Sequence, residues 1–270
     1  MCPKTGSSLT VLSAFVLCLS GCTGGSDAIY TAQPTVQVDP ASRDKIDQAI
    51  QLHQQYAGND KGLVAAISAE FLGTPYVANT LIGSLAEPER LVVNFNGVDC
   101  FTYLDYVAAL IKSDSPASFE NKLIEIRYKD GAVSFLNRKH FFTDWAWAEP
   151  INALDVSAKL SPRTVTVAKT LNLKADGSVF LPGLGITQRQ VTYIPAENID
   201  DAVIAQLQTG DYIGIYSHVA GLDVSHTGLF IQSTNGPQFR NASSLAVNQK
   251  VVDSDFKAYV QKTPGIVVLR

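Results

Sequence analysis

The apolar positions change period several times along the chain, and each change marks an expected element. From 5 to 26 no charge interrupts the sequence, and its apolar heart, 9–19, is too short to span a bilayer as a mature helix. Residues 24–42, rich in Thr, Pro, Gln and Ser, carry neither a helical nor a strand period, so order is expected to begin near Arg43. Leu52, Leu63, Ile67 and Phe71 lie among helix formers over 45–71, broken by Gly58-Asn59-Asp60, which predicts two helices closed by Gly73-Thr74-Pro75. Residues 89–95 lead into the turn signal Asn96-Gly97. Beyond it Cys100, Tyr103, Leu104, Val107, Leu110 and Ile111 repeat at helical spacing and predict a central, mostly buried helix.

The second half reads as short strands. Residues 123–128, 132–136, 163–171 and 190–194 are expected strands, followed by a helix over 199–208. Strands over 212–216, 226–232 and 238–242 are separated by turns at Val219-Ala220-Gly221 and Asn235-Gly236-Pro237; a helix over 254–261 and a strand over 265–269 close the chain. The order predicts an α+β domain with one helix packed on an antiparallel sheet. No internal repeat, low-complexity block or phosphate-cradling Gly-rich loop is present.

An apolar fraction of 46% in 270 residues supports one packed globule. The formal charge of −4, more negative still once Lys4 is removed, provides none of the basic field that nucleic acid demands. Lys4 and the apolar run behind it read as a signal peptide. Leu19-Ser20-Gly21-Cys22 resembles the lipobox of bacterial lipoproteins, in which the cysteine is acylated and becomes the new N-terminus. Residues 1–21 are therefore expected to be a lipoprotein signal peptide, 22–42 lipidated Cys22 and a tether, and 43–270 one catalytic domain. Ordinary signal cleavage near the same point is the alternative. Thr23, rather than Asp, after the cysteine favours by that resemblance the periplasmic side of a Gram-negative outer membrane, with the lipid as the only membrane contact.

Of the four cysteines, Cys2 and Cys18 fall in the expected leader and Cys22 is the expected lipid acceptor, which leaves Cys100 unpaired. A lone thiol in an oxidising compartment has no disulfide to explain it. Asp99 is a good N-cap type and puts Cys100 in the first helical turn, where unpaired N–H groups and the helix dipole are expected to stabilise a thiolate. Four histidines are available as a base. His53 sits in a polar helix and His218 in a turn, both surface settings. His226 opens the apolar strand His226-Thr227-Gly228-Leu229-Phe230-Ile231, where it faces a helix N-terminus or simply fills the core. No residues have zinc-ligand spacing, and no metal or cofactor is expected.

Phe71-Leu72-Gly73-Thr74-Pro75-Tyr76, then Asp99-Cys100, then Ser225-His226-Thr227-Gly228 resembles the NlpC/P60 superfamily of papain-like cell-wall hydrolases. Within it the chain is similar to the family DUF1460, described as N-acetylmuramoyl-L-alanine amidase-like. That likeness rests on Leu91-Val92-Val93-Asn94, Asp99-Cys100-Phe101-Thr102, the run from Asn137 to Trp145, Gly210-Asp211, Gly221-Leu222-Asp223-Val224-Ser225-His226 and Asn241-Ala242-Ser243-Ser244. It spans 65–270 in matching order.

The resemblance implies a papain-like fold, with 119–205 as a family-specific insertion bearing on substrate choice. It implies Cys100 as nucleophile, His226 as general base and, at the third position, Asn241 where the superfamily commonly has His. An amide oxygen can hold the imidazole tautomer, as in Cys-His-Asn triads. Muropeptides are the implied partners and the amide between the lactyl group of N-acetylmuramic acid and L-alanine the implied bond. Superfamily endopeptidases hold a free peptide amine with a Tyr, the Asp before Cys and a Ser after it. Tyr76 and Asp99 match that pattern, but Phe101 replaces the Ser and removes an acceptor, which favours the amidase over the stem-peptide endopeptidase. A non-catalytic muropeptide-binding lipoprotein is a third reading. Arg138, His140, Asp144 and Ser225 are further expected substrate contacts; for Arg138 and Asp144 the alternative is structural pairing.

Overall fold

A computed structural model describes residues 35–270, so the expected leader and Cys22 lie outside the described residues. Order begins upstream of Arg43. β1 (Val36–Val38) pairs in parallel with β2 (Leu91–Val93), and Asp39 then caps α1 (Pro40–Gln55) by accepting from the Ser42 N–H. The segment lacked a readable strand period because three residues are too few to display one. α2 (Asp60–Ala69) starts at Asn59, whose side chain accepts from Gly62 N, so the Gly58-Asn59-Asp60 break is where expected.

α3 (Cys100–Ile111) is the central helix, buried continuously from Thr102 to Leu110. A helix apolar on every side can only be surrounded by other elements. α1, α2, α4 (Pro116–Arg127) and the sheet supply them. α4 corrects the strand expected over 123–128. Its start lies upstream, where Ser115 and Ser118 form a reciprocal cap and Pro116 takes the first helical position; Phe119, Leu123 and Ile126 then share one buried face. The strand expected over 132–136 is also absent: a 3₁₀ turn over Phe135–Asn137 occupies its end, stabilised by Ser134 accepting from Asn137 N.

Short helices α5 (Asp144–Trp147) and α6 (Ser157–Leu160) lead to β3 (Val165–Leu171) and β4 (Thr187–Pro195). The helix expected over 199–208 shrinks to α7 (Asp201–Ile204), and β5 (Tyr212–Tyr216), β6 (Val224–Ser233) and β7 (Gly236–Ser243) follow as expected. β8 (Lys250–Asp255) was not anticipated; it takes the start of the expected last helix, leaving α8 (Phe256–Val260) before β9 (Gly265–Leu269). The sheet order is β3-β4-β9-β5-β6-β7-β8, with every neighbouring pair antiparallel. β3 and β4 come from residues 119–205, so that region is one edge of the sheet.

Strand alternation gives the sheet two buried faces. Leu229, Ile231, Ala242, Val251, Val267 and Leu269 pack toward α3, while Ile213, Ile215, Phe230, Phe239, Ile266 and Val268 pack with Phe256 and Val260 of α8. Gly228, between His226 and the core, has a steric reason. A Cβ there would lie 2.6 Å from both the Arg240 carbonyl oxygen and the Phe239 ring.

Candidate active site

Cys100 is the first residue of α3, and Asp99 caps that helix. One carboxylate oxygen, Asp99 Oδ1, accepts from Phe101 N at 3.0 Å, Thr102 N at 2.7 Å and Thr102 Oγ1 at 2.9 Å. The cap leaves fewer free donors than the sequence led us to expect. Tyr103 N bonds back to Asp99 O, so the first-turn N–H left for an incoming anion is that of Cys100 itself.

The helix start is tied to the sheet by Thr227 of β6, whose Oγ1 donates to Cys100 O at 2.8 Å. Burial, and after it the neighbouring Asp99 carboxylate, push the Cys100 thiol up to about 11, against a smaller opposing effect of the Thr227 hydroxyl and N–H. This corrects the expected resting thiolate. Desolvation of a charge and a like-signed neighbour outweigh the helix terminus once its N–H groups are occupied.

His226 stands at the start of β6, and Asn241 is fully buried on β7. The amide of Asn241 has a fixed orientation, because its Nδ2 donates to the Phe239 carbonyl at 3.0 Å. Its Oδ1 therefore faces His226 Nε2, 2.9 Å away, and Nε2 must carry the proton. Nδ1 is left as the basic nitrogen. Burial lowers the His226 pKa below its usual value, with the Asn241 bond opposing, so the ring rests neutral. Asn241 lies two positions beyond Phe239 on one face of β7, while Arg240 on the other face bonds Ala65 O and Ser68 Oγ. The alternation of the strand thus delivers the amide to the imidazole.

Cys100 and His226 line one cavity of about 140 Å³, together with Phe101, His140, Asp223 and Ser225. Tyr76 adjoins it: burial, then Cys100 and Asp99, raise its phenol pKa. Phe101 packs on Trp145 with ring centres 5.9 Å apart and so forms an apolar wall. His140 Nε2 donates to Phe135 O at 2.7 Å, and burial keeps that ring neutral too. Ser225 is at the exposed rim, beside the register shift between Ile215 and Tyr216.

Two expected substrate residues are structural instead. Arg138 is held by Glu89 through Nε and Nη2 at 2.6 and 2.7 Å, with its guanidinium over Phe135, so the edge of its fork that would grip a substrate carboxylate bidentately is already occupied. Asp144 is 3% exposed and bonds Arg189 Nη2 at 3.0 Å and Phe141 N at 3.1 Å. A buried relay backs the site. Arg189 Nη1 donates to Thr143 Oγ1, which donates to Asp223 Oδ2 at 2.8 Å, and the other oxygen of Asp223 accepts from Val224 N. This chain joins β4, the start of α5 and the strand carrying His226. Its sequence signals were Thr143 in the 137–145 run and Asp223 in the 221–226 motif; Thr227 stood in the 225–228 motif with no role to read, and Tyr259, whose ring lies 6.4 Å from that of His226, gave no signal.

A family model described as AmiA-like, N-acetylmuramoyl-L-alanine amidase-like, matches residues 66–266. A crystal structure of an N-acetylmuramoyl-L-alanine amidase from Bacteroides uniformis is 27% identical with a TM-score of 0.67, over 78% of this chain and 98% of that one. A second structure of that description is 28% identical with a TM-score of 0.63, over 77% and 98%. A Legionella pneumophila protein of family DUF1460 shares the fold at 24% identity and a TM-score of 0.69, over 86% and 96%. None of the curated proteins searched matches.

Proposed function

The chain belongs to the N-acetylmuramoyl-L-alanine amidase-like family, and we propose that it is a cysteine-dependent amidase. The bond cut joins the lactyl group of N-acetylmuramic acid to L-alanine in peptidoglycan fragments. The observation that carries this reading is the Nε2–Asn241 Oδ1 hydrogen bond of 2.9 Å, which turns the basic Nδ1 of His226 free beside Cys100 in one cavity.

The resting pair is a neutral thiol and a neutral imidazole. Attack of Cys100 Sγ on the lactyl carbonyl carbon is accompanied by transfer of the thiol proton to His226 Nδ1, while the Cys100 N–H faces the developing oxyanion. Asn241 Oδ1 holds the Nε2 proton of the imidazolium. His226 returns the proton to the alanine nitrogen, the C–N bond breaks, and the peptide leaves with a free amine. Water, deprotonated by His226, then attacks the thioester; the C–S bond breaks, the thiol is regenerated and the sugar retains a lactyl carboxylate.

Tyr76 and Asp99 beside Cys100 favour a second reading, an endopeptidase that holds a free peptide amine. The Phe101 ring, packed on Trp145 where an acceptor hydroxyl would be needed, favours the amidase. Mass spectrometry of defined muropeptides distinguishes them. The amidase gives a lactyl carboxylate on the sugar and Cys100→Ala gives no product; a new carboxylate inside the peptide, or equal turnover by Cys100→Ala, overturns it. For the leader we propose lipid attachment at Cys22, supported by Leu19-Ser20-Gly21-Cys22. Metabolic labelling with palmitate is expected to mark the wild type and not Cys22→Ser.

A further inference from the structure

Beyond His226 lies a groove of about 400 Å³ between α8 and the turn joining β7 to β8. Its wall is Tyr259, and Leu245, Ser254, Asp255, Lys262 and Thr263 complete it. Tyr259 is the lining residue of the groove that neighbours His226. Its ring lies 6.4 Å from the His226 imidazole at an angle of 29°, and it packs on Phe239 at 4.7 Å. Its phenol pKa is raised by burial and then by Cys100, which puts the hydroxyl within electrostatic reach of the nucleophile.

The direction of the groove gives it a meaning. The group that departs must receive its proton from His226, so the leaving amine sits on the imidazole side of the sulfur and its remainder extends past the ring. Past the ring is the Tyr259 groove. Of the charged groups there, Asp255 is engaged as the N-cap of α8, accepting from Ala258 N at 2.7 Å. Lys262 is exposed, and among the described residues its ammonium makes no ion pair. Leu245, 55% exposed, offers an uncovered apolar surface opposite.

We propose that this groove is the subsite for the leaving peptide, in which Lys262 binds a carboxylate on the residue after L-alanine while Tyr259 and Leu245 pack against its aliphatic part. The assignment rests on the amidase reading, because that reading makes the peptide the departing amine.

The test compares two substrates that share the scissile amide, N-acetylmuramoyl-L-alanyl-D-glutamate and N-acetylmuramoyl-L-alaninamide. Wild type is expected to prefer the first in kcat/KM by about tenfold or more, the scale of one charge-assisted contact. Lys262→Met brings the ratio close to one, Lys262→Arg retains it, and Leu245→Asp, which sets a like charge in the groove, lowers turnover of the first substrate selectively. A ratio unchanged by Lys262→Met overturns the subsite. Calorimetric titration of both compounds into Cys100→Ala reads the same preference without turnover. Product masses that put the cut inside the peptide overturn the amidase reading, and the same titration with Lys262→Met added to Cys100→Ala still decides whether Lys262 recognises the carboxylate.

Discussion

At the scale of single residues the state of Cys100 and His226 depends on what each neighbouring side chain has already given away. Asp99 takes the Phe101 and Thr102 N–H groups for the helix cap, and its charge, added to burial, holds the Cys100 thiol near 11. Alkylation of Cys100 by iodoacetamide in the free protein is therefore expected to be slow at neutral pH and to rise through the alkaline range toward about 11. Asp99→Asn keeps a capping oxygen and removes the charge, so its alkylation midpoint falls; a midpoint already near neutrality in the wild type would show a resting ion pair instead. In the proposed mechanism Asn241 acts through His226, whose Nε2 proton it accepts. Asn241→Ala removes a buried hydrogen bond worth roughly 1–3 kcal/mol, and kcat/KM is expected to fall about 10- to 100-fold. Asn241→His offers an acceptor nitrogen to the same Nε2 proton and recovers part of the activity, which a purely structural asparagine would not allow.

At the scale of elements, the Cys100 helix was the most legible part of the sequence and α4 among the least. Twelve consecutive residues after Asp99 with apolar side chains at 3.6-residue spacing allow little but a buried helix, and the cap fixes its first residue. In α4 the local alternation from Leu123 to Arg127 imitates a strand, and the helix is decided by the Ser115-Pro116 start seven residues earlier. β8 was hidden for the opposite reason. Its ladder with β7, from Ser243↔Lys250 to Gln238↔Asp255, supplies hydrogen bonds that its own polar composition does not announce. Leu104 is fully buried in α3, and Leu104→Ala is expected to destabilise the fold by about 2–5 kcal/mol in urea unfolding.

At the scale of the whole molecule, residues 119–205 do two things for the site. They add β3 and β4 to the sheet, and through Arg189, Thr143 and Asp223 they brace the strand that bears His226. The Arg189–Asp144 pair is almost fully buried, with side-chain exposures of 6% and 5%. Removing one partner leaves an uncompensated charge in the interior, so Arg189→Met is expected to cost about 3–5 kcal/mol, read by equilibrium unfolding. A loss below about 1 kcal/mol would show that water reaches the abandoned Asp144.

The sequence by itself determined what depends on neighbours in the chain: the cap and start of the Cys100 helix, the strand opening at His226, and the ordered motifs that mark the family. Tertiary structure alone decided what depends on distant groups. Arg138 and Asp144 carry the chemistry of substrate binding, yet Glu89 and Arg189 already occupy them. Thr227 follows His226 in its motif with no role to read and Tyr259 looks ordinary in sequence, yet one clamps the Cys100 carbonyl and the other flanks the imidazole. A side chain's type fixes what it can bind; only the fold fixes whether a partner has reached it first, and burial then sets its charge, as it does for the neutral Cys100 and His226.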